Sequence, residues 1–175
     1  MRSPIVLTVQ FDEASDVLFE AMRRKYFPEA LNRVGAHLTL FHNLPYTEKD
    51  EVIGEIARLA ARTSPFRIAV TGPMRLGRGV ALNIESEKLT EIRSELALRF
   101  RKWLSGQDRA KFRPHVTIQN KAAPHEAAAL FDHLKATILP FEAMAEGIQI
   151  WSYERGPWSP IAAVPFQAIP AAASQ

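Results

Sequence analysis

One short pattern occurs twice in this 175-residue chain and limits every fold it can adopt. His37-Leu38-Thr39-Leu40 and His115-Val116-Thr117-Ile118 both run histidine, apolar, threonine, apolar. On a strand, alternate side chains share a face, so each copy projects an imidazole and a hydroxyl together, about 7 Å apart, while the apolar pair points to a core. From composition alone, two such copies among five histidines amount to a coincidence on the order of one in a thousand.

Each copy falls in the middle strand of a strand–helix–strand–helix–strand succession. In the first succession the patterning predicts strands over Ile5 to Phe11, His37 to Phe41 and Phe66 to Val70. Its helices run from Glu13 to Lys25, capped by Asp12 with Val17, Leu18, Met22 and Tyr26 on the apolar face, and from Glu48 to Arg62, capped by Thr47. The second has strands over Val80 to Ile84, His115 to Gln119 and Ala145 to Tyr153, and helices from Glu87 to Leu104 (capped by Ser86, ended by Gly106) and Pro124 to Leu139. A last strand covers Pro160 to Phe166. Leu7 to His37 is 30 residues and Leu82 to His115 is 33; His37 to Ile68 is 31 and His115 to Ile148 is 33. The expectation is a single bilobed α+β domain over 1–175, with repeat units of about 4–73 and 74–166 and a flexible tail over 167–175, frayed from Ala171 to Gln175.

Composition removes several kinds of chemistry. With no cysteine there is no disulfide, thiol nucleophile or thiolate zinc site. Twenty-two Lys and Arg against 19 Asp and Glu give +3, a balance that permits an anionic partner without requiring one. The longest uncharged stretch, Gly156 to Gln175, holds Pro157, Pro160, Pro165 and Pro170 and cannot form a regular spanning helix. No signal peptide is read at the start. The expected setting is the cytoplasm, away from membranes, as a monomer.

The paired histidines point to acid–base chemistry on a phosphoryl group. An imidazole takes and gives a proton near neutrality, and two across a cleft supply one base and one acid. The hydroxyls of Thr39 and Thr117 can donate to non-bridging phosphate oxygens. No cofactor is called for. Which histidine is base is open, with a lean toward His115. A metal is not expected: His37 and His42, five apart, face opposite ways on a regular strand, and His125 and His133 are ordinary helix-surface residues.

Further candidates for substrate contact surround the motifs. Arg113 and Lys121 flank the second histidine strand, and Arg75 and Arg78 lie in a glycine-punctuated turn, Met74 to Gly79, that could cradle phosphate or simply close a hairpin. Phe41 and Gln119 lie two residues past each threonine on the same nominal face. Phe41, Trp151 and Tyr153 are candidate platforms for a nucleobase, with burial in a core as the competing reading of the last two.

With these residues in place, the chain resembles the two-histidine (2H) phosphoesterase superfamily. HLTLFHNLP (37–45), LGRGVALNI (76–84), FRPHVTIQNK (112–121) and IWSYERGPW (150–158) are similar to its bacterial 2′–5′ RNA ligase-like branch, over about residues 4 to 166. The resemblance implies a pseudo-twofold α+β fold, two antiparallel sheets facing a cleft with helices outside. It also implies 2′,3′-cyclic phosphodiesterase activity on RNA ends, nucleotides or small cyclic phosphates, and in some members reversible 2′–5′ ligation of tRNA halves. By position His37 and His115 inherit the catalytic roles, and Thr39 and Thr117 the phosphate-binding ones. The competing expectation is an RNA-end or nucleotide-binding module that keeps the pocket without turnover.

Overall fold

The computed structural model describes residues 3–167. The expected frayed end from Ala171 to Gln175 therefore lies outside the described residues, as does the predicted tail beyond Gln167. Among the described residues, apolar and β-branched runs form seven strands: β1 (Ile5–Phe11), β2 (Thr39–Leu44), β3 (Phe66–Leu76), β4 (Gly79–Glu85), β5 (His115–Gln119), β6 (Phe141–Tyr153) and β7 (Trp158–Pro165). Between them run α1 (Glu13–Tyr26), α2 (Lys49–Ala60), α3 (Glu87–Arg99), α4 (Gly106–Arg109) and α5 (Pro124–Thr137). The molecule is α+β, and every strand pairing is antiparallel.

The strands lie in the order β2-β1-β6-β3-β4-β5, with β7 also on β6. Strand β6 is long enough to serve two neighbours along one edge. Phe141–Ala145 pairs with β3 and Gly147–Tyr153 with β7, while the other edge pairs with β1. The two antiparallel sheets are thus wings of one hydrogen-bonded surface: β2, β1, β6 and β7 on one side, and β6, β3, β4 and β5 on the other. The histidine strands β2 and β5 are the outermost strands of their wings. Helix α2 packs on β6 and β7, and α5 on β3 and β4. Helix α1 lies against β5, and α4 against β2. Val52, Ile56, Leu59, Leu130 and Leu134 from these helices meet Ile5, Leu7, Ile68, Leu82, Ile148 and Ile150 from the sheet in one apolar core.

Local signals explain most boundaries. Ser15 N donates to the Asp12 carboxylate and Leu89 N to the Ser86 hydroxyl, so both expected caps form. Thr47 caps nothing, because a 3₁₀ turn over Tyr46–Glu48 precedes α2 and the hydroxyl bonds to Glu48 instead. Helix α3 stops at Arg99 rather than Leu104, and Gly106 opens the short α4 instead of closing α3. Of the apolar face read for α1, Met22 and Tyr26 pack against the core, and Val17 and Leu18 do not. Val17 and Leu18 are 61% and 43% exposed, and the buried line is Ser15, Phe19 and Arg23, at helical spacing but with an arginine in it. Among the described residues no helix is long and apolar enough to cross a membrane.

Candidate functional site

The two motif histidines are held alike. His37 precedes β2 by two residues and its Nδ1 lies 2.7 Å from the carbonyl of Gly35; His115 opens β5 and its Nδ1 lies 2.8 Å from the carbonyl of Arg113. A carbonyl only accepts, so in both rings Nδ1 carries the proton and donates, and Nε2 is the nitrogen left for chemistry. Neither Nε2, nor the hydroxyl of Thr39 or Thr117, has a hydrogen-bond partner among the described residues. The rings are near enough for His115 to act electrostatically on His37, as Arg23 and His42 also do. Burial, partly countered by the Gly35 carbonyl, lowers the His37 pKa from 6.5 to about 4. The Trp158 ring contributes to that burial, its centroid 4.6 Å from the imidazole.

Each motif is followed at once by a β-bulge. On β2, Thr39 pairs with Thr8 and Phe41 with Leu7, so Leu40 is the extra residue; on β5, Thr117 pairs with Ala81 and Gln119 with Val80, so Ile118 is the extra one. A bulge shifts the alternation by one, which corrects two expectations together. Phe41 is fully buried, packed edge-on against Phe100 at 5.5 Å. Gln119 is 8% exposed and turned inward, its Oε1 unpartnered among the described residues. Neither borders the site. The same shift carries His42 back to the face of His37 and Thr39, where a regular strand would have opposed them.

The free edges of both strands are gripped by buried arginines that the pattern reading passed over. Arg93 on α3 stacks on Phe41 and donates through Nε to Leu40 O and through Nη2 to Asp108 O, each at 2.6 Å. Arg23 on α1 stacks on Phe27 and donates through Nη1 to Thr117 O and through Nε to Asn32 Oδ1, each at 2.8 Å. Asp108 completes the β2 edge. Its carboxylate accepts from His42 N (2.9 Å), His42 Nδ1 (3.0 Å), Asn43 N (3.1 Å) and Ser105 Oγ (3.1 Å). Burial would raise its pKa, but the hydrogen bonds from His42 and Ser105 outweigh that and hold it below the usual carboxylate value.

The remaining candidates divide. Trp151 lines a half-open cavity of 330 Å³ together with His37, Gln149 and Trp158. Its Nε1 donates to Thr8 Oγ1 at 2.9 Å, which fixes the indole. Arg113 is exposed, with Nη2 3.6 Å from the sulfur of Met74, a residue in register with Ala81 and Thr117 and so on the site face. Arg75 pairs with Val80 on the opposite face, its guanidinium over Phe131 of α5, and so points away from the histidines. Arg78 donates to Ala122 O. The turn it belongs to closes the hairpin of β3 and β4. Gly77 supplies φ +45°, and a Cβ on Gly79 would lie 1.9 Å from Gln119 O. Lys121 and Tyr153 are exposed at the far ends of β5 and β6, outside the cavity by His37. Among the described residues no group of three or more His, Asp or Glu is placed to hold a metal ion.

Comparison with curated proteins by sequence gives no match. Solved structures share the fold at low identity. TT0787 of Thermus thermophilus superposes with a TM-score of 0.65 at 19% identity, over 95% of this chain and 98% of that one. Escherichia coli LigT complexed with 3′-AMP gives 0.67 at 15%, over 96% and 100%, and LigT complexed with ATP gives 0.58 at 17%, over 94% and 98%. A family model described as the 2′-5′ RNA ligase superfamily matches residues 11–157, a span that takes in both histidine strands, both bulges and both arginine grips. By that match the chain belongs to the 2′-5′ RNA ligase superfamily.

Proposed function

We propose that the protein is a metal-independent phosphoesterase that hydrolyses 2′,3′-cyclic phosphodiesters at RNA ends or on nucleotides, with His37 and His115 as its acid–base pair. The observation that carries this is the matched Nδ1-to-carbonyl bond in each motif, which leaves two Nε2 atoms and two threonine hydroxyls uncommitted. An imidazole with its pKa near 4 is neutral at pH 7, so His37 acts as base, the reverse of the lean from sequence. Its Nε2 takes a proton from water as the water oxygen bonds to phosphorus. The bond from phosphorus to one ribose oxygen breaks, and that oxygen takes the proton of the His115 imidazolium. Thr39 and Thr117 donate to the non-bridging oxygens, and the product is a phosphate monoester beside a free hydroxyl.

The test is turnover of a panel of nucleoside 2′,3′-cyclic phosphates in the presence of EDTA. His37→Ala and His115→Ala should each lower kcat/KM by about a thousandfold. An activated leaving group should rescue His115→Ala and not His37→Ala. Wild-type turnover in both variants would refute the assignment. The family description supports a second reading, the reverse reaction, in which a 5′-hydroxyl RNA end replaces water and a 2′–5′ linkage forms. Incubation with RNA halves followed by linkage analysis tests it.

A further inference from the structure

A third imidazole stands on the face of the first motif, and nothing in the acid–base pair uses it. Against the single residue Val6 of β1, strand β2 sets two residues, His42 and Asn43, between the pairs Leu7 with Phe41 and Ile5 with Leu44. Val6 pairs with Trp151 and stands two residues from Thr8, so the face it marks is the one carrying Thr39, Thr8 and the cavity beside His37. Two residues of β1 separate the Thr39 level from the His42 level, about 7 Å along the strand. That is close to one backbone repeat of a nucleic-acid strand.

The ring is also built to present one nitrogen. Nδ1 donates to the buried Asp108 carboxylate, so Nε2 is directed away from it, and the side chain is 40% exposed. The carboxylate has four donors of its own, and the Arg93 guanidinium bonds the backbone oxygen of the same residue. A phosphate oxygen only accepts, so the contact this ring can make is through an Nε2–H that points outward while Nδ1–H stays on Asp108. The residue after the corresponding bulge on β5 is Asn120, so the extra imidazole is confined to the His37 side. His42 lies close enough to act electrostatically on His37.

We propose that His42, held by Asp108, is a specificity-determining residue whose Nε2 contacts the phosphate flanking the cleaved one, so that the site favours a nucleotide bearing a 5′-phosphate or an RNA end over a bare cyclic nucleoside phosphate. The inference rests on the phosphoesterase reading of the same site. The test is an equilibrium one that needs no turnover: calorimetric titration with a nucleoside 3′,5′-bisphosphate and with the matching nucleoside 3′-monophosphate. A charge-assisted phosphate contact predicts about a tenfold preference for the bisphosphate in the wild-type protein. His42→Asn keeps an amide nitrogen that can bond Asp108 and removes only the reach of Nε2, and there the preference should fall to within about twofold. The same preference in both proteins, no preference in the wild type, or an equal weakening of both ligands that keeps the ratio would each overturn the proposal. Failure of cyclic phosphate turnover with the binding ratio intact would defeat the phosphoesterase reading instead.

Discussion

His37 sits under the Trp158 ring, and burial brings its pKa to about 4. In its proposed role as base His37 must be deprotonated to work, so the acid limb of kcat/KM should fall near pH 4 rather than near the ordinary imidazole value of 6.5. Trp158→Ala re-solvates the ring and should move that limb upward by about one pH unit, read from the pH–rate profile and from NMR titration of the His37 ring proton. The same shift sets a sign for stability. In the unfolded chain His37 binds a proton at higher pH than in the fold, so its contribution is present above 6.5 and lost as pH falls toward 4. At this scale the candidate histidines and threonines stand out in the sequence because the same four-residue pattern occurs twice. The sequence did not display Arg23, Arg93 or Asp108, because a charged residue reads as solvent-facing even at a buried helical position, and their partners lie on elements distant in the chain. Val17 and Leu18 misled for the related reason that α1 turns an arginine, not its larger aliphatics, toward β5.

The elements carrying the motifs are edge strands, and an edge strand leaves backbone groups open to water or to another chain. Here β2 has its Leu40 carbonyl bound by Arg93 and its His42 and Asn43 amides bound by Asp108, while β5 has its Thr117 carbonyl bound by Arg23. Arg93→Met strips two buried carbonyls of their donor and should lower stability by about 2–4 kcal/mol in urea unfolding. Arg93→Lys should restore little, since one ammonium cannot bridge both carbonyls and stack on Phe41. At the β3–β4 turn, Gly79→Ala sets a methyl against the Gln119 carbonyl at 1.9 Å. It should weaken the β4–β5 pairing beside the second motif, lowering both the melting temperature and kcat/KM, whereas Gly106→Ala, with open space around it, should lower neither. The strands themselves were legible from alternation. The bulges were not, because a one-residue insertion leaves composition and apolar count untouched while reversing every side chain beyond it. Phe41, Gln119 and His42 were all misplaced by that one effect.

Across the whole molecule, neither wing is a contiguous piece of sequence. Strands β1 and β2 lean on β6 and β7 from the far end of the chain, and β3 leaves them to pair with β4 and with the first residues of β6. The exchange brings the His37 and His115 strands into one molecule-wide frame, and α1 and α3 each secure the histidine strand of the other sequence half. A cut at the exposed turn between Gly77 and Arg78 therefore tests how the chain is organised. The piece 1–77 keeps only the β1–β2 pairing and a β3 with no partner. The piece 78–175 keeps the β4–β5 and β6–β7 pairings but leaves one edge of β6 bare, the Phe141–Ala145 stretch of its other edge unpaired, and β4 without β3. A two-stranded pairing with half a core is marginal in water, so each piece alone should show no cooperative unfolding transition. Mixed at equal concentration, they should recover the helical and strand signal and the activity of the intact protein together, in one transition by circular dichroism and tryptophan fluorescence. A fragment 1–77 that unfolds cooperatively alone would mean that the first half holds its own core, and that the shared strand β6 is an adornment of the fold rather than its spine.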